Sequence, residues 1–392
     1  MESTSQLHKI DERYVWALIL CSGSPFFSLF QGLNILFSCL FVLYWINNYK
    51  YYPQLNTLFL YLLGILGISC IQTYIFCWNS FPAIVNFCCK VFWGGSIYLI
   101  LGNRFRQVYF KIITILAFLS LIFWVLRLFN IVFPGITCGR ANCIIFYNYI
   151  TEWQGGLSYR NCGFPWEPGA FGCYLMFAFI LYIDSLPKLW NSKRMSCLFI
   201  IMAILSTMST TAYIAIAVIG CSVLLLKVKR TIVKYTWVTI ILLGCFYIGK
   251  NLSFLSSKIV EQSESAVKSN GKFNSTRLGS LLFDIYYIQK HPLVGNGLNS
   301  RTRYADHQYL VKLWESGREA QSGNGFSSII ANMGLLFLIL YFYIFNRRNR
   351  KSLSFDTRAI IALSIILLLF GEPLLNYPFL LGFPLVRIPN DL

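Results

Sequence analysis

The sequence predicts an all-α, polytopic integral membrane protein, and three observations predict it. Hydrophobic residues make up 56% of the 392 and charged residues only 12%. Mean hydropathy is +0.59, outside the range of soluble globular chains. Apolar runs able to cross about 30 Å of hydrocarbon recur along nearly the whole length, and the Lys and Arg residues collect in alternate connections between them.

The runs predict about twelve spans: residues 14–30, 32–47, 56–76, 83–101, 111–133, 167–187, 195–208, 210–226, 235–250, 325–345, 357–371 and 373–388. Several are short, and the pairs within 195–226 and 357–388 are also readable as hairpins of half-length helices. Glu2 to Arg13 is polar, and no small-residue cleavage site precedes the second span, so the first span reads as a signal anchor. Lys9, Arg13, Lys50, Arg104, Arg106, Lys111, Lys188, Lys193, Arg194, the 227–234 run, the 347–358 run and Arg387 all fall on one side. By the positive-inside rule that side is the cytoplasm and holds both termini. The formal net charge of +18 is then an inner-face signal, and a nucleic-acid partner is not expected.

The chain 1–392 reads as one membrane domain with two outward insertions, 134–166 and 250–324. The second is basic, but loops this long escape the charge rule. Within it, Leu278, Leu281, Leu282, Ile285 and Ile288 recur at helical spacing until Pro292 and Gly295, with Asn274 and Ser275 as caps. This predicts an amphipathic helix against the membrane or the bundle, with Arg277, Ser280 and Asp284 on its opposite face. A second amphipathic stretch covers Tyr309 to Ser316, residues 261–272 read as flexible, and Gly323-Asn324-Gly325 turns the chain into the next span. Most of the 13 cysteines sit singly inside spans as small hydrophobes. Cys138, Cys143 and Cys162 share the first outer loop, where a disulfide requires an oxidising compartment. Zinc spacing is absent, and so is any internal repeat of the kind that marks secondary transporters.

Four outward patches carry candidate chemistry. In the first, Arg160 precedes Glu167-Pro168-Gly169; Pro168 suits a helix first turn, and Glu167 is either an active carboxylate or simply a helix cap. The second, Ser206 to Thr211, breaks an apolar stretch and fits an outer hairpin tip whose hydroxyls line a cavity or bond back to helix carbonyls. The third pairs Arg277, a fork of donors suited to diphosphate, with His291-Pro292 and the Gly295-Asn296-Gly297 turn. The fourth collects Arg301, Arg303, Asp306, His307, Arg318 and Asn324. Inside or at the ends of spans, Lys90, Arg127 and Glu372 need partners or a cavity; Lys90 lies mid-span, whereas Arg127 and Glu372 lie near enough to the ends to snorkel. Neither outer loop holds an Asp-x-Asp pair, so no metal is expected and arginines must supply the positive charge.

Arg160 through Phe171 resembles the Arg...Glu-Pro-Gly segment of O-antigen polymerases, the membrane enzymes that join lipid-linked repeat units of bacterial surface polysaccharide. The similarity continues in order over roughly 130–350: the Ser/Thr break at 206–211, Arg277 opening an outer-loop helix, His291-Pro292 before Gly295 and Gly297, and Asn324 leading into a span with Gly334. What the resemblance implies is a glycosyltransferase of the bacterial inner membrane that needs neither metal nor cofactor. It would transfer an undecaprenyl-diphosphate-linked glycan to a sugar hydroxyl of another lipid-linked unit at the outer face, with inversion at the anomeric centre. Arg277 first and Arg160 second would stabilise the leaving diphosphate, with Arg301 or Arg303 in support and His291 and Asn324 beside the substrate. Glu167 and His307 are both candidates for the base. A chain-length regulator protein is an expected partner. Two other readings stand beside it. O-antigen ligases share the leaving group, but many carry a His where this chain has Gly323 and Asn324. A lipid-oligosaccharide flippase would show symmetric halves and short loops.

Overall fold

The computed structural model describes residues 2–28, 30, 32–48, 54–76, 80–131, 133–138, 141–150, 159–227, 232, 236, 239, 277–299 and 323–389. Helix dominates them, as unbroken apolar runs dictate: with no water to satisfy N–H and C=O groups, the backbone must bond to itself. The helices are α1 (Glu2–Gly23), α2 (Leu33–Asn48), α3 (Leu55–Phe76), α4 (Phe81–Leu101), α5 (Phe105–Leu128), α6 (Pro168–Ile180), α7 (Arg194–Ser206), α8 (Thr210–Lys227), α9 (Arg277–Lys290), α10 (Gly325–Asn349) and α11 (Phe355–Gly371). Among the described residues, three stretches are long and apolar enough to cross a membrane: Leu55–Tyr74, Phe81–Leu128 and Gly325–Asn349. The middle one is α4 and α5 joined by a 3₁₀ turn at Gly102–Arg104. Tyr98 and Tyr109, on either side of that turn, both close on Phe379, so the chain doubles back there. Several of the other expected spans are shorter apolar helices, and the expected span 235–250 lies almost wholly outside the described residues.

The expected last span, 373–388, is not a helix. It is a 3₁₀ turn (Leu374–Asn376), a five-residue helix α12 (Pro378–Gly382), a second 3₁₀ turn (Phe383–Leu385) and extended chain to Pro389. Pro373, Pro378 and Pro384 explain the unwinding, since each removes a donor and clashes with a continuing helix. Non-helical backbone at this depth survives only when protein satisfies it, and here it does. Tyr98 and Tyr341 donate to the carbonyls of Phe379 and Leu380, both at 2.9 Å. Ser22 Oγ accepts from Phe379 N at 3.0 Å. Asn349 donates to Val386 O and accepts from Ile388 N. Gly94 and Gly382 let α4 and α12 touch backbone to backbone, where a Cβ on either would overlap the other chain. At the basic end of the bundle, Arg348 donates to Leu385 O at 3.1 Å and Arg106 to Pro389 O at 3.4 Å.

α10 is also interrupted, at Gly334 (φ 74°, ψ 177°). The turn His291–Gly297 plugs into the gap. Asn296 N and Gly297 N donate to Ala331 O and Asn332 O, while Leu335 N and Leu336 N donate to Pro292 O and Leu293 O. Gln72 of α3 seals the junction by donating to Val294 O and, at 2.8 Å, to Asn332 O. Gly295 (φ 73°) and Gly334 abut so closely that neither could carry a side chain, the close approach that glycine alone permits.

The first of the two expected insertions departs from the all-α expectation. It holds a three-stranded antiparallel sheet, β1 (Ile136–Cys138), β2 (Ala141–Ile144) and β3 (Tyr147–Ile150), in that order. Cys143 faces Asn148 across β2 and β3. Arg127, at the end of α5, is 7% exposed and stacks over the Tyr149 ring at 4.7 Å, so it is held by an aromatic face instead of snorkelling. Lys90 reaches the carbonyl of Asn376 at 2.9 Å, which ties α4 to the unwound segment.

α9 forms as expected and stops before Pro292, with Ser280, Phe283, Asp284 and Tyr287 as its buried face, against α10. Leu278, Leu282 and Ile285 are exposed. In a membrane protein the outer surface is itself apolar and the interior carries the polar contacts, so of the two expected placements, against the membrane or against the bundle, the apolar face takes the one away from the bundle. Asp284 accepts from Ser327 Oγ at 2.6 Å, and Ser280 Oγ accepts from Gly323 N.

Candidate functional site

Four charged side chains, Arg160, Glu167, Arg277 and Glu372, come together at the end of the bundle opposite Arg106 and Arg348. The segment 159–167 is placed first. Asn161, fully buried, donates to Ser120 Oγ of α5 and Ser206 Oγ of α7, and its own carbonyl oxygen Oδ1 accepts from Gly163 N. From β3, Asn148 donates to the carbonyls of Phe164 and Pro165. These bonds fix Arg160 on one side and Glu167 on the other.

Arg160 donates through Nε to Thr207 O at 3.0 Å and through Nη2 to Met208 O at 3.1 Å. Those carbonyls are free to accept because α7 ends at Ser206 and Met208 turns with φ 47° before α8 starts. The 206–211 patch is thus the hairpin tip that its composition suggests, with Ser206, Thr207 and Ser209 buried. Burial pulls the Arg160 guanidinium pKa down, but arginine keeps its charge at physiological pH.

Arg277, the first residue of α9, spends its fork on three residues of two elements, the end of α11 and the start of α8. Nε donates to Gly371 O at 2.8 Å, Nη1 reaches Thr210 Oγ1 at 3.5 Å, and Nη2 pairs with Glu372 Oε1 at 3.0 Å. Arg160 and Arg277 therefore both reach the same four-residue turn, Thr207 to Thr210. Glu372 is 1% exposed on its side chain and Arg277 22%, so the pair is buried on the acid side and open on the cation side.

Glu167 begins α6 at its N-cap with extended backbone but makes no side-chain cap bond, which removes the simple capping account. Its carboxyl instead acts on that of Glu372. Burial above all, then Glu167, holds the Glu372 acid well above the ordinary carboxylate range, with Arg277 pulling the other way.

Three glycines bring the chain close enough for this. A methyl on Gly169 would overlap Glu372 Oε1, one on Gly371 would strike the Thr211 side chain, and one on Gly325 would strike the Glu372 backbone. Trp166 stacks on Tyr377 at 4.8 Å and walls the cluster toward the unwound segment.

Glu372 is the residue that sequence reasoning missed: placed at a span end, it reads as a snorkelling charge, yet it lies at the centre of the cluster. The other expected residues divide. Asn324 is fully buried as the N-cap of α10, accepting from Ser327 N at 3.0 Å, so the position assigned to substrate is held by a helix cap. His291 opens the turn that plugs α10, its carbonyl accepting from Gly295 N; burial and then Lys290 lower its pKa. Arg301, Arg303 and His307 lie outside the described residues, as do the caps Asn274 and Ser275 and the stretch Tyr309 to Ser316. No family model matches the chain, and neither does any curated protein.

Proposed function

We propose that this protein is a polysaccharide polymerase of a bacterial inner membrane. It elongates undecaprenyl-diphosphate-linked repeat units into an O-antigen or capsule-like chain at the outer face. In this reading both termini are cytoplasmic, and the chain crosses about twelve times, with the unwound 373–388 segment counted as one crossing. The observation that carries the proposal is the meeting of Arg160, Glu167, Arg277 and Glu372 at the end of the bundle away from the basic connections.

The chemistry fits that cluster. As the anomeric carbon separates from the diphosphate, negative charge grows on the leaving oxygen, and preorganised donors in a shielded site stabilise it. Arg277, open on its cation side, is placed to receive the diphosphate, with Arg160 supporting from the same 207–210 turn. The attacking sugar hydroxyl must lose a proton to a base within hydrogen-bond reach, and Glu167, more exposed than Glu372, supplies it.

The test is a gene deletion complemented with wild type, Glu167→Gln or Arg160→Ala, with surface polysaccharide resolved on a gel. The polymerase reading expects a single-unit band from the deletion, a full ladder with wild type and the single-unit band with both variants. Free lipid-linked polymer in the deletion would mark a ligase instead. Intermediates trapped on the cytoplasmic face would mark a flippase.

A further inference from the structure

We infer that Glu372 is an internal anion that occupies Arg277 until a substrate diphosphate displaces it. The inference rests on the diphosphate reading of the site and assigns the fourth member of the cluster its role. Arg277 makes one charged contact among the described residues, with Glu372 Oε1 at 3.0 Å, while its Nη1 contact to Thr210 is long at 3.5 Å. Nε is anchored on Gly371 O, so the outer edge of the guanidinium can exchange one oxyanion for another without the side chain moving. A diphosphate oxygen carries more charge than a carboxylate and has the matching fork geometry.

Burial raises the Glu372 acid while Arg277 favours its ionised form. When the diphosphate takes Arg277, Glu372 loses that support inside a site that is 1% exposed, and burial then favours its neutral form. The other titratable groups that act on Glu372 among the described residues are Arg160 from the 159–167 segment and Cys173 from α6.

The experiment measures binding of farnesyl diphosphate to the detergent-solubilised full chain by calorimetry. E372Q removes the competing charge and keeps a hydrogen-bonding amide beside Glu167. It should bind about tenfold tighter than wild type at alkaline pH, an ordinary size for two ligands competing through one group. As pH falls Glu372 takes up a proton, so the advantage of E372Q over wild type should shrink; the ratio cancels protonation of the probe itself. R277A/E372Q should lose the gain. Equal or weaker binding by E372Q, or a ratio that does not change with pH, overturns the inference. Where wild-type binding needs Arg277 but E372Q binds no tighter, the diphosphate site stands and only the role of Glu372 falls. Equal binding by wild type and R277A overturns both.

Discussion

Arg277 and Glu372, 95 residues apart in the chain, meet at 3.0 Å with the carboxylate buried and the guanidinium edge open. A pair built only for stability would gain little, because removing both charges from water costs about as much as their attraction returns. Here the carboxylate sits against a second carboxyl, the least stabilising neighbour available. Such an arrangement makes physical sense where another anion is to be received.

Arg277→Ala should leave the protein in the membrane fraction and abolish long-chain polysaccharide. The loss of the cation does not strand a buried charge, because burial favours the neutral form of Glu372 once Arg277 no longer draws it the other way. Arg277→Lys should fail as well. An ammonium is a point charge and cannot hold Gly371 O while presenting a flat edge to a diphosphate. Immunoblots of membranes beside polysaccharide gels check both, and a normal ladder from either variant removes Arg277 from the mechanism.

Gly169→Ala tests the geometry without touching a charge. The added methyl would overlap Glu372 Oε1 and come within 3.2 Å of Arg277 Nη2, so the pair must separate. Backbone strain is not at issue, since Gly169 lies in the first turn of a regular helix. Activity should fall by at least about tenfold, the effect of a small misplacement in a positioned site, while the melting temperature in detergent moves little. Activity equal to wild type would show that the close approach of α6 to Glu372 is unnecessary.

How much of this was legible in the sequence depends on whether the signal was local. Pro168 after Glu167, the Ser/Thr interruption at 206–211 and the helix opened by Arg277 are short patterns, and each takes the local form its pattern suggests. Glu372 was not legible, because its meaning comes from Arg277 and Glu167, both distant in sequence. The unwinding of 373–388 did leave a signal, three prolines in twelve residues, which the overall hydropathy of the segment outweighs. For α9 the period was legible, but not which of membrane and bundle its apolar face meets, because that depends on whether the surroundings are water or lipid.

Asn161→Ala should destabilise the protein and reduce activity together. The side chain donates to two hydroxyls on α5 and α7 and accepts from Gly163 N, all buried. Each polar group left without a partner costs about 1–3 kcal/mol. The same side chain places the neighbouring Arg160 on the Thr207 and Met208 carbonyls, so its loss should also lower the rate of the protein that remains folded. Thermal unfolding in detergent and polymer yield per folded molecule separate the two effects, and an unchanged melting temperature would contradict the first.

Gly334→Ala probes the plug in α10. The backbone there has φ 74° and ψ 177°, a region essentially reserved for glycine, and forcing a side chain into it costs about 1–3 kcal/mol before any clash is counted. The methyl would also strike Leu293 O, so the His291–Gly297 turn must leave the gap. With it would go the bonds from Asn296 and Gly297 to Ala331 and Asn332, and those from Leu335 and Leu336 to Pro292 and Leu293. Because α9 runs directly into this turn, Arg277 would lose the anchor at the far end of its helix. The variant should therefore unfold at lower temperature and lose activity even where it remains folded. Limited proteolysis should find new cuts near residues 291–297 that the wild type resists. Wild-type resistance to cutting there, together with a wild-type melting temperature, would mean that the turn does not hold the helix break together.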